Sequence, residues 1–90
     1  MRVVWTPPAA RDLREIWNYI APENPHAAQQ LVSRLRQASH VLRTQPHAGR
    51  AGRVPHTREF VVPGTSYILV YRKRSQRIEI LAAIHGARIH

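Results

Sequence analysis

Leu13, Ile16, Trp17 and Ile20 fall at i, i+3, i+4 and i+7, the spacing that puts apolar side chains on one side of an α-helix. Arg11, Asp12, Arg14 and Glu15 occupy the other side. Thr6 is a candidate cap, and Pro7 suits the first turn, because the amide proton it lacks would have no partner there. The pattern ends near Ala21-Pro22, and ahead of it Val3-Val4-Trp5 is a short β-prone run. A second start signal, Asn24-Pro25, opens a stripe of Ala28, Leu31, Leu35, Ala38 and Leu42, widened by Val32 and Val41. Gln29, Arg34, Arg36 and Arg43 are left for water, and Thr44-Gln45-Pro46 closes the segment. Together the two segments predict a helical hairpin with a very short connection.

From His47 to His56 there is no apolar period, only glycines, a proline and arginines, which reads as a mobile basic loop. Three strand-like runs follow, at about Arg58 to Val62, Tyr67 to Arg72 and Arg77 to His85. Pro63-Gly64 turns the first pair, and Arg72-Lys73-Arg74-Ser75-Gln76-Arg77 turns the second. Alternation along the last run puts Ile78, Ile80, Ala82 and Ile84 on one face, and Glu79, Leu81, Ala83 and His85 on the other. The predicted order is β-α-α-β-β-β, an α+β fold with the helical hairpin packed on one face of a small, mainly antiparallel sheet. On that reading His85 stands on the open face.

Length and charge sharpen the picture. With 90 residues the chain has room for one domain, expected over residues 1–90. Lys plus Arg is 14 against 5 for Asp plus Glu, a net charge of +9, and every cation except Lys73 is arginine. A surface rich in planar guanidinium forks expects an anionic partner, either nucleic acid or an acidic protein segment. There is no cysteine, which excludes disulfide frameworks, thiol catalysis and zinc–thiolate sites. Neither a signal peptide nor a membrane span is visible, so a cytoplasmic protein with no membrane partner is expected. His26, His40, His47 and His56 lie on different elements without a joining carboxylate; no metal site and no cofactor are expected.

Val4-Trp5-Thr6 with Ala10, Asp12-Leu13, Ile16-Trp17 and Tyr19-Ile20 resembles the first strand and helix of the RelE/ParE toxin superfamily. Thr57 to Gly64 followed by Tyr67 to Arg72 resembles its central hairpin, and Ile78 to Leu81 with Ile84 to Arg88 resembles its last strand and exit. The resemblance implies the toxin of a bacterial type II toxin–antitoxin module, held inactive in a hetero-oligomer by a cognate acidic antitoxin. RelE-like members cleave mRNA on the ribosome, whereas ParE-like members poison DNA gyrase, and both share one fold. Arg58 to Gly64, the long helical hairpin and the Ile-His-Gly-Ala-Arg ending lean toward the ParE-like side. The remaining alternative is a decayed toxin that only binds its antitoxin. Relatives often continue a few residues past the position of His90 with a proline or an aromatic, so by the resemblance this chain is either short or cut at its end.

Each reading points to its own residues. A metal-independent endoribonuclease needs a base, an acid and cations on the phosphate, for which the candidates are His85, Tyr71 or Glu59, and Arg58, Arg72 and Arg88. The leucine and alanine expected beside His85 argue against that use, so a catalytic set of His85, Tyr71, Arg72 and Arg58 is held only for the ribonuclease case. Binding of the target is expected through Arg58, Arg72, Lys73, Arg74, Arg77 and Arg88. Arg58 beside Glu59 reads in preference as an ion pair or an antitoxin contact. The Arg72–Arg77 turn reads equally as a contact to DNA or an acidic gyrase surface and as a charged tip that keeps a sheet edge from aggregating. For the antitoxin groove the expected residues are Leu13, Trp17, Leu35 and Leu42.

Overall fold

In the computed structural model of the chain, which describes residues 1–88, strand β1 (Arg2–Trp5) runs directly into helix α1 (Pro7–Ile20). A short link leads to α2 (Pro25–Thr44), and the rest is sheet: β2 (Arg50–Ala51), β3 (Arg58–Val61), β4 (Tyr67–Arg74) and β5 (Arg77–His85), closed by a 3-10 turn over Gly86–Arg88. Asn24 starts α2 as expected, its side chain accepting the N–H of Ala27 at 3.0 Å. Thr6 does not cap α1 with its side chain. Its hydroxyl and its N–H both donate to the carbonyl of Ile80, at 2.7 and 3.1 Å, and so rivet the end of β1 to β5.

The sheet order is β1-β5-β4-β3-β2, with β1 parallel to β5 and every other pair antiparallel. The two helices pack on one face of these five strands. Leu13, Ile16, Leu35 and Leu42 from the helices meet Val62, Leu69, Tyr71, Ile78, Ile80 and Ala83 from the sheet side. Burying a side chain of this size contributes roughly 1.5–3 kcal/mol, so this one layer supplies most of the drive to fold. Trp5 belongs to it as well: its indole N–H donates to the Ser39 hydroxyl at 3.2 Å, and the Arg36 guanidinium lies 5.9 Å from its ring centre.

Residues 47–56, read from the sequence as a mobile loop, contain strand β2, which adds a fifth strand to the order. Arg50 pairs with Glu59 and Ala51 with Arg58. The segment is held by Tyr71, whose hydroxyl donates to the Pro46 carbonyl at 2.8 Å and accepts the Gly49 N–H at 2.9 Å. Arg58 adds a hydrogen bond to the Gly49 carbonyl at 2.8 Å. Only glycine fits there, because a Cβ on Gly49 would stand 2.8 Å from the Tyr71 ring and 2.9 Å from the Glu59 carbonyl. Burial pushes the Tyr71 phenol pKa up, with the Gly49 N–H and nearby Arg58 partly opposing it, so the hydroxyl keeps the proton it donates.

The ladder between β4 and β5 carries one irregularity with large consequences. Val70 pairs with Ala82 but Tyr71 pairs with Ile80, leaving Leu81 as an extra residue on β5. Before the bulge Ile78 and Ile80 face the helices; after it Ala83 and His85 do, with Ala82 and Ile84 turned to the open face. Simple alternation, which predicted Ile78, Ile80, Ala82 and Ile84 together, is therefore wrong for the second half of the strand. β1 pairs with β5 only as far as Ile80, and beyond it the Asp12 carboxylate on α1 accepts the Ala83 N–H at 3.0 Å.

Replacing Tyr71 by Phe removes a hydroxyl that satisfies two backbone groups at once. The expected loss is about 1–3 kcal/mol of unfolding free energy, read as a lower denaturant midpoint with an unchanged slope. A variant as stable as the wild type would show that Tyr71 does not anchor the segment.

Candidate functional site

The face of the sheet away from the helices has two halves. At the β4–β5 turn end the register puts Arg2, Arg77 and Arg74 side by side on one rung of three neighbouring strands, with Val4, Glu79 and Arg72 beyond them. At the other end stand Val61, Ile68, Val70, Ala82 and Ile84, with Glu59 and Arg50 near the β2 edge. The first half is cationic and the second largely apolar.

Both carboxylates of this face are already engaged. Glu79, with only 9% of its side chain exposed, receives Arg72 Nε at 2.7 Å on one oxygen. Its other oxygen receives Arg77 Nη2 at 2.8 Å and Nε at 2.9 Å. The hydrogen bonds from Arg72 and then Arg77 hold the Glu79 carboxyl below the usual carboxylate range, against a smaller opposing effect of burial. Glu59 accepts the Arg53 N–H at 3.2 Å and a long contact from Arg50 Nη2 at 3.5 Å. Neither carboxylate is left as a free base.

His85 is not on this face. The Leu81 bulge turns it toward the helix side, where it packs edge-on against Tyr67 with ring centres 5.2 Å apart. Its Nδ1 accepts the Ala87 N–H at 3.2 Å. A cleft lined by Asp12, Glu15, Tyr19, Tyr67 and Ala83 lies around it, at the end of α1. Tyr71 is on the helix side too, fully buried and spent on the backbone of residues 46 and 49. Along β4 it stands four positions from Tyr67, the partner of His85, or roughly 13 Å at 3.3 Å per residue.

The four residues considered for RNA cleavage are thus not brought together. Arg58 lies on the helix side with Tyr71, bound to the Gly49 carbonyl, and only Arg72 is on the open face. Of the cations expected to meet a target, Arg72, Arg74 and Arg77 share the open face, while Lys73 pairs with Ile78 and is exposed on the other side of the same turn. The side chain of Arg88 lies outside the described residues. Of the expected antitoxin contacts, Leu13, Leu35 and Leu42 are core and out of reach of any partner. Trp17 is 37% exposed and its neighbour Tyr19 is 85% exposed.

Two residues with clear roles escaped the sequence reading. Arg2 joins the arginine rung only because β1 lies parallel beside β5, a long-range pairing with no local signal. Asp12 looked like a water-facing helix residue, yet it satisfies a strand N–H 71 positions away. Among the described residues no group of three or more His, Asp or Glu side chains is placed to hold a metal ion, and no helix is long and apolar enough to cross a membrane.

Comparison with known proteins agrees with this architecture. Residues 3–90 match the family described as the ParE toxin of the type II toxin–antitoxin system parDE. The toxin Y4kP of Sinorhizobium fredii is 42% identical over 85 residues, covering 94% of this chain and 88% of that protein. Toxin RelE2 of Caulobacter vibrioides is 34% identical over 88 residues, covering 98% of each. A solved structure of the chromosomal ParDE TA system from P. aeruginosa superposes with a TM-score of 0.86 at 25% identity, covering 94% of this chain and 95% of that one.

The arginine clamp on Glu79 makes stability depend on pH in one direction. Its pKa is depressed in the folded state, so its stabilisation is complete above the unfolded value of about 4.3. It fades as pH falls from there and is gone below the folded-state pKa. Melting temperatures of wild type and Glu79→Gln should therefore differ at neutral pH, with wild type higher, and converge in acid. A gap that stays constant down through this range would contradict the clamp.

Proposed function

This chain belongs to the ParE toxin family of type II toxin–antitoxin systems, and on that premise we propose that it arrests growth by binding DNA gyrase, with no covalent chemistry of its own. The observation that carries this reading is the make-up of the open face. Among the described residues its ionisable groups are arginines and two carboxylates, Glu59 and Glu79, that are already hydrogen-bonded. Cleavage of RNA without a metal needs groups that exchange protons near neutral pH, and the candidates for that work, His85 and Tyr71, stand on the helix side, apart from each other. A surface of fixed cations beside an apolar patch suits recognition of another macromolecule.

The antitoxin is the other partner that a toxin–antitoxin module implies. A net charge of +9 favours an acidic segment, with association steered by opposite charge and weakened by salt. On the helical hairpin Trp17 and Tyr19 are the accessible aromatic surface that such a segment would cover, replacing the buried leucines in that role.

Purified gyrase should lose supercoiling activity in the presence of the protein and accumulate linear DNA, while ribosome-dependent cleavage of mRNA stays at background. His85→Ala should arrest growth as well as the wild type does. Cleaved mRNA with unaffected gyrase, together with loss of toxicity in His85→Ala, would replace this reading with a ribosome-dependent endoribonuclease.

A further inference from the structure

The arginine rung is electrostatically unfavourable as it stands. Side chains directly opposite on neighbouring strands lie close, and like charges there destabilise the pair. Here the arrangement is repeated across three strands, Arg2–Arg77–Arg74, with Arg72 one step behind. One carboxylate, Glu79, answers these four cations, and it is committed to Arg72 and Arg77. Arg2 and Arg74 are exposed, and their side chains make no ion pair or hydrogen bond among the described residues. At about 4.8 Å between strands, the backbone of the rung spans roughly 10 Å, and the guanidinium groups of Arg2 and Arg74 at its two ends keep unused donors.

We propose that this rung clasps the sugar–phosphate backbone of duplex DNA. It goes beyond the choice of gyrase as target and is tested without gyrase. Three features favour a duplex backbone over other anions. The donors are planar forks matched to phosphate oxygens, fixed at strand spacing on a sheet rather than on a flexible arm. The rung itself is charged at its centre, with Val4 as its one apolar neighbour among the described residues and the patch of Val61, Ile68, Val70, Ala82 and Ile84 confined to the other half of the face, whereas a docked acidic protein places apolar side chains at the centre of its interface. Finally, the open face carries no aromatic side chain: Trp5, Phe60, Tyr67 and Tyr71 face the helices, and Trp17 and Tyr19 are on α1. Recognition of single strands relies on aromatic platforms for unstacked bases. A row of arginines without one reads stacked, paired DNA through its phosphates.

Glu79 has a positioning part in this. By engaging Arg72 and Arg77 it fixes both guanidinium groups, and leaves Arg2 and Arg74 as the outer pair free to reach phosphates. The contact is independent of base sequence and fits a protein that meets DNA wherever it lies on a larger assembly.

The test is binding of the full chain to a fluorescent 20-base-pair duplex by anisotropy over a salt series. Each phosphate contact contributes about 0.9 to the slope of log affinity against log salt. Arg2→Gln and Arg74→Gln should each lower that slope by about 0.9 and weaken binding about eightfold at 0.1 M salt. Arg14→Gln, which removes the same charge from exposed α1, should leave the slope unchanged. Circular dichroism melting of each variant separates loss of contact from loss of fold. An equal effect from Arg14→Gln would reduce the attraction to net charge alone and overturn the proposal. So would tighter binding to single-stranded RNA or to polyglutamate than to the duplex.

Discussion

One extra residue in β5 governs how this molecule presents itself. The Leu81 bulge lets Ile78 and Ile80 on one side of it, and Ala83 and His85 on the other, all face the helices. Without it the second half of the strand would turn Ile84 into the helical layer and His85 out onto the open face. The bulge coincides with the point where β1 departs into α1, so the strand loses its neighbour just where its pairing with β4 is interrupted. Two side chains make the region tolerable: Thr6, just past the end of β1, donates to the Ile80 carbonyl, and Asp12 supplies an acceptor for the Ala83 N–H. A buried strand amide left without a partner would be costly, so the position of α1, the end of β1 and the bulge are a single arrangement.

That arrangement sorts the chemistry of the chain between its two sides. Every aromatic ring of the sheet and the one histidine of the strands go to the helix side, where they pack or hold the β2 segment. The open side keeps arginines, two occupied carboxylates and an apolar patch. His85 and Tyr71 are thereby separated from the arginines of the open side.

The same sorting places the excess charge. Repulsion among neighbouring arginines is relieved at Glu79 but not removed, and the core of Leu35, Leu42, Leu69, Ile78 and Ile80 supplies the stability that tolerates it. Concentrated positive charge at one end of a sheet is then available to partners of opposite charge, whether an antitoxin segment or a nucleic acid.

Local pattern alone determined both helices, the prolines that start them and the Asn24 cap of the second, the three strands that follow residue 57 and the excess of arginine, because helical and strand periods and turn residues act over a few neighbours. The family resemblance was legible for the same reason, in short motifs along nearly the whole length. What only the tertiary structure decided is where the faces lie. The parallel partnership of β1 with β5 joins residues more than seventy positions apart and brings Arg2 beside Arg77. The β2 strand forms because Tyr71 and Arg58 reach across to residues 46 and 49. The bulge inverts the alternation after Ile80, and it has no signature in the order of apolar and polar residues. A period of two specifies a strand but not its phase once a residue is inserted, and the phase is set by what the strand must pack against.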